Sequence, residues 1–220
     1  MIVFDMAGTT VNEDNVVYKT VQKAINEAGF PVTLNEVLAQ GAGKEKLQAI
    51  KSVLDVYANN TDDAVAQTIY ENFIAQLSNA YATLDVSPQP NAVSTFAALR
   101  SKGIIVVLDT GYDRPTAQSL LDKLGWKNGV EFDALITASD VEKNRPHPDM
   151  ILLAMQQFNI DDGRAVAKVG DSTIDIKEGQ NAHCGLSIGI TTGAHTFDQL
   201  QTAHPDHIIN DLSELINLLN

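Results

Sequence analysis

Three apolar runs in this sequence end in side chains that can do chemistry, and a fourth segment supplies a cation. Met1-Ile2-Val3-Phe4 runs into Asp5, followed by the turn-prone Met6-Ala7-Gly8-Thr9-Thr10. Ile104-Ile105-Val106-Val107-Leu108 runs into Asp109-Thr110-Gly111. Ala165-Val166-Ala167-Lys168-Val169 runs into Gly170-Asp171, with Asp175 four residues further on. Asn144-Arg145-Pro146-His147-Pro148 holds an arginine in a proline-stiffened loop. Asp5, Asp171 and Asp175 offer hard oxygen donors suited to Mg²⁺. Thr110, Arg145 and the backbone amides of Met6 and Ala7 suit a phosphoryl group, and Gly111 lets the backbone approach it closely. A carboxylate such as Asp5 can act as nucleophile and form an aspartyl-phosphate.

These side chains need a frame that brings distant segments to one edge. Apolar runs that stop at an acid or a hydroxyl read as buried parallel strands. In open α/β sheets the ligand binds beyond the carboxyl ends of such strands. Strands are predicted at 104–108, 134–137, 165–169, 186–190 and 207–209, after the first strand that ends at Asp5. They alternate with helices predicted at 91–102, 114–124, 149–158, 175–182 and 212–219. That alternation predicts an α/β fold with a doubly wound, Rossmann-like parallel sheet. Residues 14–28, 34–40, 44–57 and 61–84 show helical spacing only, with Val17, Val21, Ala24 and Ile25 on one face and Ile69, Phe73, Leu77 and Tyr81 on another. The stretch 85–90 carries two prolines and reads as a linker. The expected organisation is a core of residues 1–12 and 88–220 with an all-helical cap, 13–87, inserted into it. At a turn, the spacing of Asp171 and Asp175 puts the second carboxylate near the first.

Composition narrows the function classes. The chain has 220 residues, 44% of them hydrophobic, enough for a core plus a small insert. A formal net charge of −13 argues against nucleic acid or an acidic membrane as partner. Local metal, Arg and Lys charge must therefore draw in any anionic substrate. Cys184 is the single cysteine, read as a small buried apolar residue, and no intramolecular disulfide is possible. No apolar stretch approaches the ~20 residues of a membrane span and no signal peptide is visible, so a cytoplasmic location is expected. His147, His183, His195, His204 and His207 show no metal-ligand spacing and read as solvated or core-satisfied side chains.

Together these segments resemble the hydrolases of the haloacid dehalogenase superfamily, along essentially the whole chain. Within that superfamily the sequence is most similar to the phosphonatase-like, or phosphonoacetaldehyde hydrolase-like, subgroup. The closer match lies in Asp5-Met6-Ala7-Gly8-Thr9-Thr10-Val11, Thr110-Gly111-Tyr112-Asp113-Arg114, Arg145-Pro146 and Lys168-Val169-Gly170-Asp171 through Lys177-Glu178-Gly179. Ala7 replaces the superfamily's usual acid/base aspartate, and Arg145 its usual lysine. The resemblance implies Asp5 as nucleophile, Thr110 and Arg145 on the phosphoryl group, and Mg²⁺ on Asp5, the Ala7 carbonyl and Asp171, supported by Asp175.

The resemblance also implies a cap lysine that forms a Schiff base with a substrate aldehyde. Gly41-Ala42-Gly43-Lys44 has the matching spacing, so Lys44 is expected to point into the closed cleft. Leu47, Asn15 and Gln40 depart from the subgroup, which carries histidine, cysteine and methionine there. Ala7 has a chemical consequence. An alkoxide leaving group needs a proton, and without a carboxyl at position 7 that proton comes from elsewhere or is not needed. Three readings stand: a Mg²⁺-dependent phosphonatase-like hydrolase of a small phosphonate or activated phosphate; a small-molecule phosphomonoesterase of the phosphoglycolate phosphatase kind; and a weakly active domain that binds phosphate or a partner. A monomer or a homodimer is compatible with each.

Overall fold

The computed structural model describes residues 1–83 and 86–218, without the side chains of 81–83. The expectations placed on Tyr81, Leu84, Asp85 and Leu219 lie outside that description.

A six-stranded sheet forms the centre, and every neighbouring pair in it is parallel. β1 (Ile2–Asp5) lies between β4 (Val106–Thr110) and β6 (Ala167–Gly170). β5 (Ala134–Thr137) extends the sheet beyond β4, and β7 (Leu186–Ile190) and β8 (His207–Ile209) extend it beyond β6. Successive residues of β1 feed opposite faces, as the strand period requires. Ile2 and Phe4 join a core with Phe96, Leu99 and Leu120, whereas Val3 joins Val107, Ile136, Met150 and Ile151. Because helices cover both faces, β1 is buried throughout and its run is continuously apolar. The helices are α5 (Ala92–Ser101), α6 (Arg114–Leu124), α7 (Asp149–Gln157), α8 (Thr173–Asn181) and the short α9 (Phe197–Gln201) and α10 (Leu215–Leu218). α9 has no counterpart among the predicted elements.

Register delivers the chemistry to one edge. Asp5 pairs with Asp109, one residue before Thr110, and β6 ends at Gly170, one residue before Asp171. The chain leaves β1 to one neighbour and later returns to the other, so this edge is the topological switch point at which open sheets bind ligands.

Between β1 and β4 the chain builds four further helices: α1 (Val16–Glu27), α2 (Leu34–Gly41), α3 (Lys46–Ala58) and α4 (Asp63–Thr83). α1 packs on α4, α2 on α3, and α3 on α4. The chain enters this unit through β2 (Val11–Asn12) and leaves through β3 (Ser87–Pro88), which pair antiparallel. The segment predicted as a bare linker thus contains a strand.

Several boundaries differ from the predicted ones for local reasons. α1 starts at Val16 rather than 14, because Asp14 and Asn15 adopt left-handed backbone. α3 starts at Lys46 rather than 44, because the Glu45 carboxylate accepts the amides of Leu47 and Gln48 and so caps the helix. α8 starts at Thr173, where Ser172 and Asp175 form a reciprocal cap. β6 starts at Ala167, because a 3₁₀ turn at Gly163–Ala165, capped by Asp162, occupies the preceding residues.

Phe96 on α5 joins β1 to the following α6 layer. Its ring lies 5.2 Å from Phe4 and 5.4 Å from Trp126, both edge-on. Phe96→Ala is expected to lower unfolding free energy by about 3–5 kcal/mol in urea titrations. A loss under about 1 kcal/mol would show that this aromatic row does not bind α5 to the sheet.

Candidate active site

The sheet edge gathers the predicted residues from four segments. Asp5, Thr110, Arg145, Asp171 and Asp175 are all buried there. The Arg145 guanidinium is the hub. Its Nη1 donates to Asp5 at 2.7 Å and lies 2.8 Å from Asp175, and its Nη2 donates to Asp109 at 2.5 Å. Its Nε lies 2.9 Å from Glu178. Lys168, reaching from β6, donates to Asp109 and lies 3.0 Å from Glu178. Oxygens of Asp5, Asp171 and Asp175 all fall within 4.8 Å of one another.

Charge is unbalanced in this cluster. Five buried carboxyls face two buried cations. Burial, then the Asp175 charge, pushes Asp5 up to about 6 against the pull of Arg145 and Lys168. Burial and the charges of Asp5 and Asp175 push Asp171 well above the ordinary carboxylate range. Burial also opposes ionisation of Asp175, yet Arg145 and Lys168 override it and hold Asp175 below its ordinary value. Arg145 and Lys168 thus spread two charges over Asp5, Asp109, Asp175 and Glu178, and among the described residues Asp171 has no cation in contact. A hard divalent cation fits that deficit and that donor set.

The remaining predicted groups occupy the same edge. Thr10 Oγ1 donates to the Asp5 carbonyl at 2.9 Å and so ties down the turn that carries the Met6 and Ala7 amides. Thr110 Oγ1 accepts the Tyr112 amide at 3.2 Å, which leaves its own proton for another acceptor. The Ala194 amide donates to Asp171 at 2.6 Å. His195 is buried, and its Nδ1 accepts the Thr173 amide at 3.0 Å, in keeping with a satisfied core histidine.

The loop between α2 and α3 closes over this edge. Gly43 has φ +75°, and a Cβ there would sit 2.5 Å from Ser172 Oγ. A Cβ on Gly111 would sit 2.9 Å from the Lys44 carbonyl oxygen. Both contacts need glycine, so the loop rests on the residues beside Thr110 and Asp171. Lys44 is in this loop, but its ammonium turns away to Ser52 Oγ, at 2.9 Å, and is half-buried near Lys177. The lysine brought inside is Lys46, which sequence spacing did not select. Lys46 Nζ donates to the Lys44 carbonyl at 2.6 Å and lies 5.2 Å from the Tyr18 ring centre and 5.0 Å from that of Tyr112. Burial lowers it to about 8. Glu13 is also buried, with its carboxyl accepting the Val17 amide at 3.2 Å, and burial pushes it up to about 8.

Lys168 and Glu178 carried part of the resemblance but no role, and Asp109, Lys46 and Glu13 were given none from the sequence. Lys168 and Asp109 interrupt otherwise apolar strands, and that signal was legible. Lys46 and Glu13 lie in stretches rich in charge and carry no such mark.

Fold and site together define a hydrolase class, and comparison with known proteins agrees. The family description "haloacid dehalogenase-like hydrolase" matches residues 2–188, and the chain belongs to that family. It is 26% identical to the phosphonoacetaldehyde hydrolase of Latilactobacillus sakei, over 99% of this chain and 94% of that protein. It is also 26% identical to the phosphoglycolate phosphatase of Yersinia pestis, over 98% of this chain and 90% of that protein. The crystal structure of a phosphonoacetaldehyde hydrolase-like protein from Oleispira antarctica superposes with a TM-score of 0.83 at 20% identity, covering 99% of this chain and 90% of that one. That likeness shows the fold. The chain is a hydrolase, and no described helix is long and apolar enough to cross a membrane.

Glu13 gives the site a pH signature in stability. It keeps its proton in the fold up to about 8, whereas an ordinary glutamate loses it near 4.5. Its stabilising contribution is therefore whole below pH 4.5 and is lost as pH rises through about 8. Glu13→Gln removes the ionisation and keeps an acceptor for Val17. Its melting temperature, relative to the parent, should climb between about pH 4.5 and 8 and level off above, with an effect on the order of 1 kcal/mol or more. Parallel curves would place Glu13 in contact with water.

Proposed function

We propose that this hydrolase is Mg²⁺-dependent and releases phosphate from a small phosphonate or phosphate ester through an aspartyl-phosphate on Asp5. One observation carries this reading: buried oxygens of Asp5, Asp171 and Asp175 converge within 4.8 Å while Arg145 holds Asp5 at 2.7 Å. Asp5, Asp171 and the Ala7 carbonyl would hold the cation, with Asp175 in support. When bound it neutralises clustered negative charge and polarises the phosphoryl oxygens. The Asp5 carboxylate attacks phosphorus, and Arg145 fixes the attacking side chain in place. The Thr110 hydroxyl and the amides of Met6, Ala7 and Gly111 hold the phosphoryl oxygens. Water then hydrolyses the acyl-phosphate.

We read residues 13–87 as a cap on a core of 1–12 and 88–220. The paired crossings of β2 and β3 support it, since they confine the connection to one short ribbon. Opening there would admit substrate, and closing would exclude water and strengthen the charge interactions at Asp5.

Two leaving groups are in play. A phosphonate fits Ala7, because cleavage of a C–P bond beside an iminium yields a conjugated enamine that needs no acid. The turn of Lys44 toward Ser52 favours a phosphate ester, since no Lys44 amine is aimed at a substrate carbonyl. Borohydride reduction with phosphonoacetaldehyde, followed by peptide mapping, separates the two: a labelled lysine marks the phosphonate reaction.

Asp5→Asn should abolish phosphate release across a panel of small phosphonates and esters, to under about 1% of the parent, with an unchanged circular dichroism spectrum. Arg145 keeps three other carboxylates in that variant, so folding should survive. Excess chelator should remove activity and added Mg²⁺ restore it. Retained turnover in either experiment would contradict the reading.

A further inference from the structure

The site as built leaves one proton unassigned. If an alkoxide departs from phosphorus, some group within reach must protonate it. Ala7 has nothing to give. Arg145 cannot deprotonate, and Lys168 is locked among Asp109, Asp175 and Glu178. Lys46 differs from both. Among the described residues it is the buried cation with no carboxylate in salt-bridge contact. It lines a cavity of about 180 Å³ with Gly111, Tyr112, Tyr70 and Phe73. Gly111 is one of the residues expected to hold the phosphoryl group, and Asp5 is among the charges that act on Lys46. The groups facing Lys46 are Asp5 and Arg145 from the core, Glu13 from the strap before α1, Glu45 from its own loop, and the Tyr18 and Tyr112 rings.

We propose that Lys46 is the proton donor of this site, and that its substrate class is a phosphate monoester of a small alcohol. The inference rests on the aspartyl-phosphate reading above. In the first step the Asp5 oxygen bonds to phosphorus and the ester P–O bond breaks. Its electron pair stays on the alkoxide, which takes a proton from Lys46 Nζ. In the second step a water oxygen bonds to phosphorus and the acyl-phosphate P–O bond breaks, returning the Asp5 carboxylate. The water's proton restores the Lys46 ammonium, so no other reactant is consumed. The buried, aromatic-walled setting that brings Lys46 down to about 8 suits it to both transfers near neutral pH. Lys44, only half-buried and bound to Ser52, lacks that setting.

The test compares two substrates that differ in their need for a proton. Ethyl phosphate releases a strongly basic alkoxide, whereas p-nitrophenyl phosphate releases a phenolate stable without one. Lys46→Met should cut kcat on ethyl phosphate by about 10²–10⁴-fold and on p-nitrophenyl phosphate by under about 10-fold. Lys46→Arg keeps the charge and the fold but cannot give a proton near neutrality, so it should show the same split. The parent's kcat on ethyl phosphate should fall as pH rises through about 8, and neither variant should show that limb. Equal losses on both substrates, restored by Lys46→Arg, would overturn the proposal and make Lys46 an electrostatic or packing residue. Borohydride labelling of Lys46 with phosphonoacetaldehyde would overturn it in favour of a covalent role. Parent enzyme inert on both esters, with Asp5 required for phosphonate cleavage, would overturn this proposal alone. Parent enzyme inert on esters and phosphonates alike would overturn the hydrolase mechanism itself.

Discussion

Everything at this sheet edge depends on how buried negative charge is held. A carboxylate taken out of water is costly unless it is paired, and here five carboxyls share one interior with two cations. Arg145 touches four of them, because its fork offers donors in several directions at fixed angles. A lysine in its place could not hold that geometry. Lys168 sits behind it, and the pair pins Asp109, Asp175 and Glu178. What remains, between Asp5 and Asp171, is an opening with oxygen donors and too little positive charge. The arrangement is a poor way to gain stability, and it leaves hard oxygen donors of the kind that suit a divalent cation.

The same charges explain why the sheet must be parallel and doubly covered. A carboxylate at a strand end can be kept nearly dry only if both faces of the strand are packed. β1 is buried along its length, and its neighbours β4 and β6 bring Thr110 and Asp171 level with Asp5. The helical unit then packs against this edge. It touches the core at residues that tolerate no side chain, Gly43 and Gly111, and it brings Lys46, Tyr18 and Glu13 over the opening. On the reading proposed above, chemistry on the phosphorus belongs to the sheet edge and chemistry on the leaving group to the helices.

That division also orders what could be read in advance. The strands announce themselves because buried parallel strands are nearly all apolar, so the acid or hydroxyl that ends each run stands out. Asp5, Thr110 and Asp171 were legible for that reason, and Asp175 because the helical spacing from Asp171 is local. Arg145 was marked by the proline after it. The α/β alternation and the inserted helical unit followed from hydrophobic period alone.

The rest turned on contacts between distant segments. Whether Lys44 or Lys46 enters the cleft depends on where α3 starts, and that depends on the Glu45 carboxylate capping two amides two and three residues ahead. With the helix starting at Lys46, Lys44 stays in the preceding loop with its ammonium on Ser52. Lys168 and Asp109 are a strand lysine and a strand acid until β1, β4 and β6 stand side by side. Glu13 is one acid among several near Asp14 until the closing helices exclude water from it. Sequence alone therefore determined which strand ends carry the buried carboxylates and the hydroxyl, because burial and period are local patterns. Tertiary structure decided which charges are dry and which lysine faces the site, because desolvation depends on every segment that closes over a group.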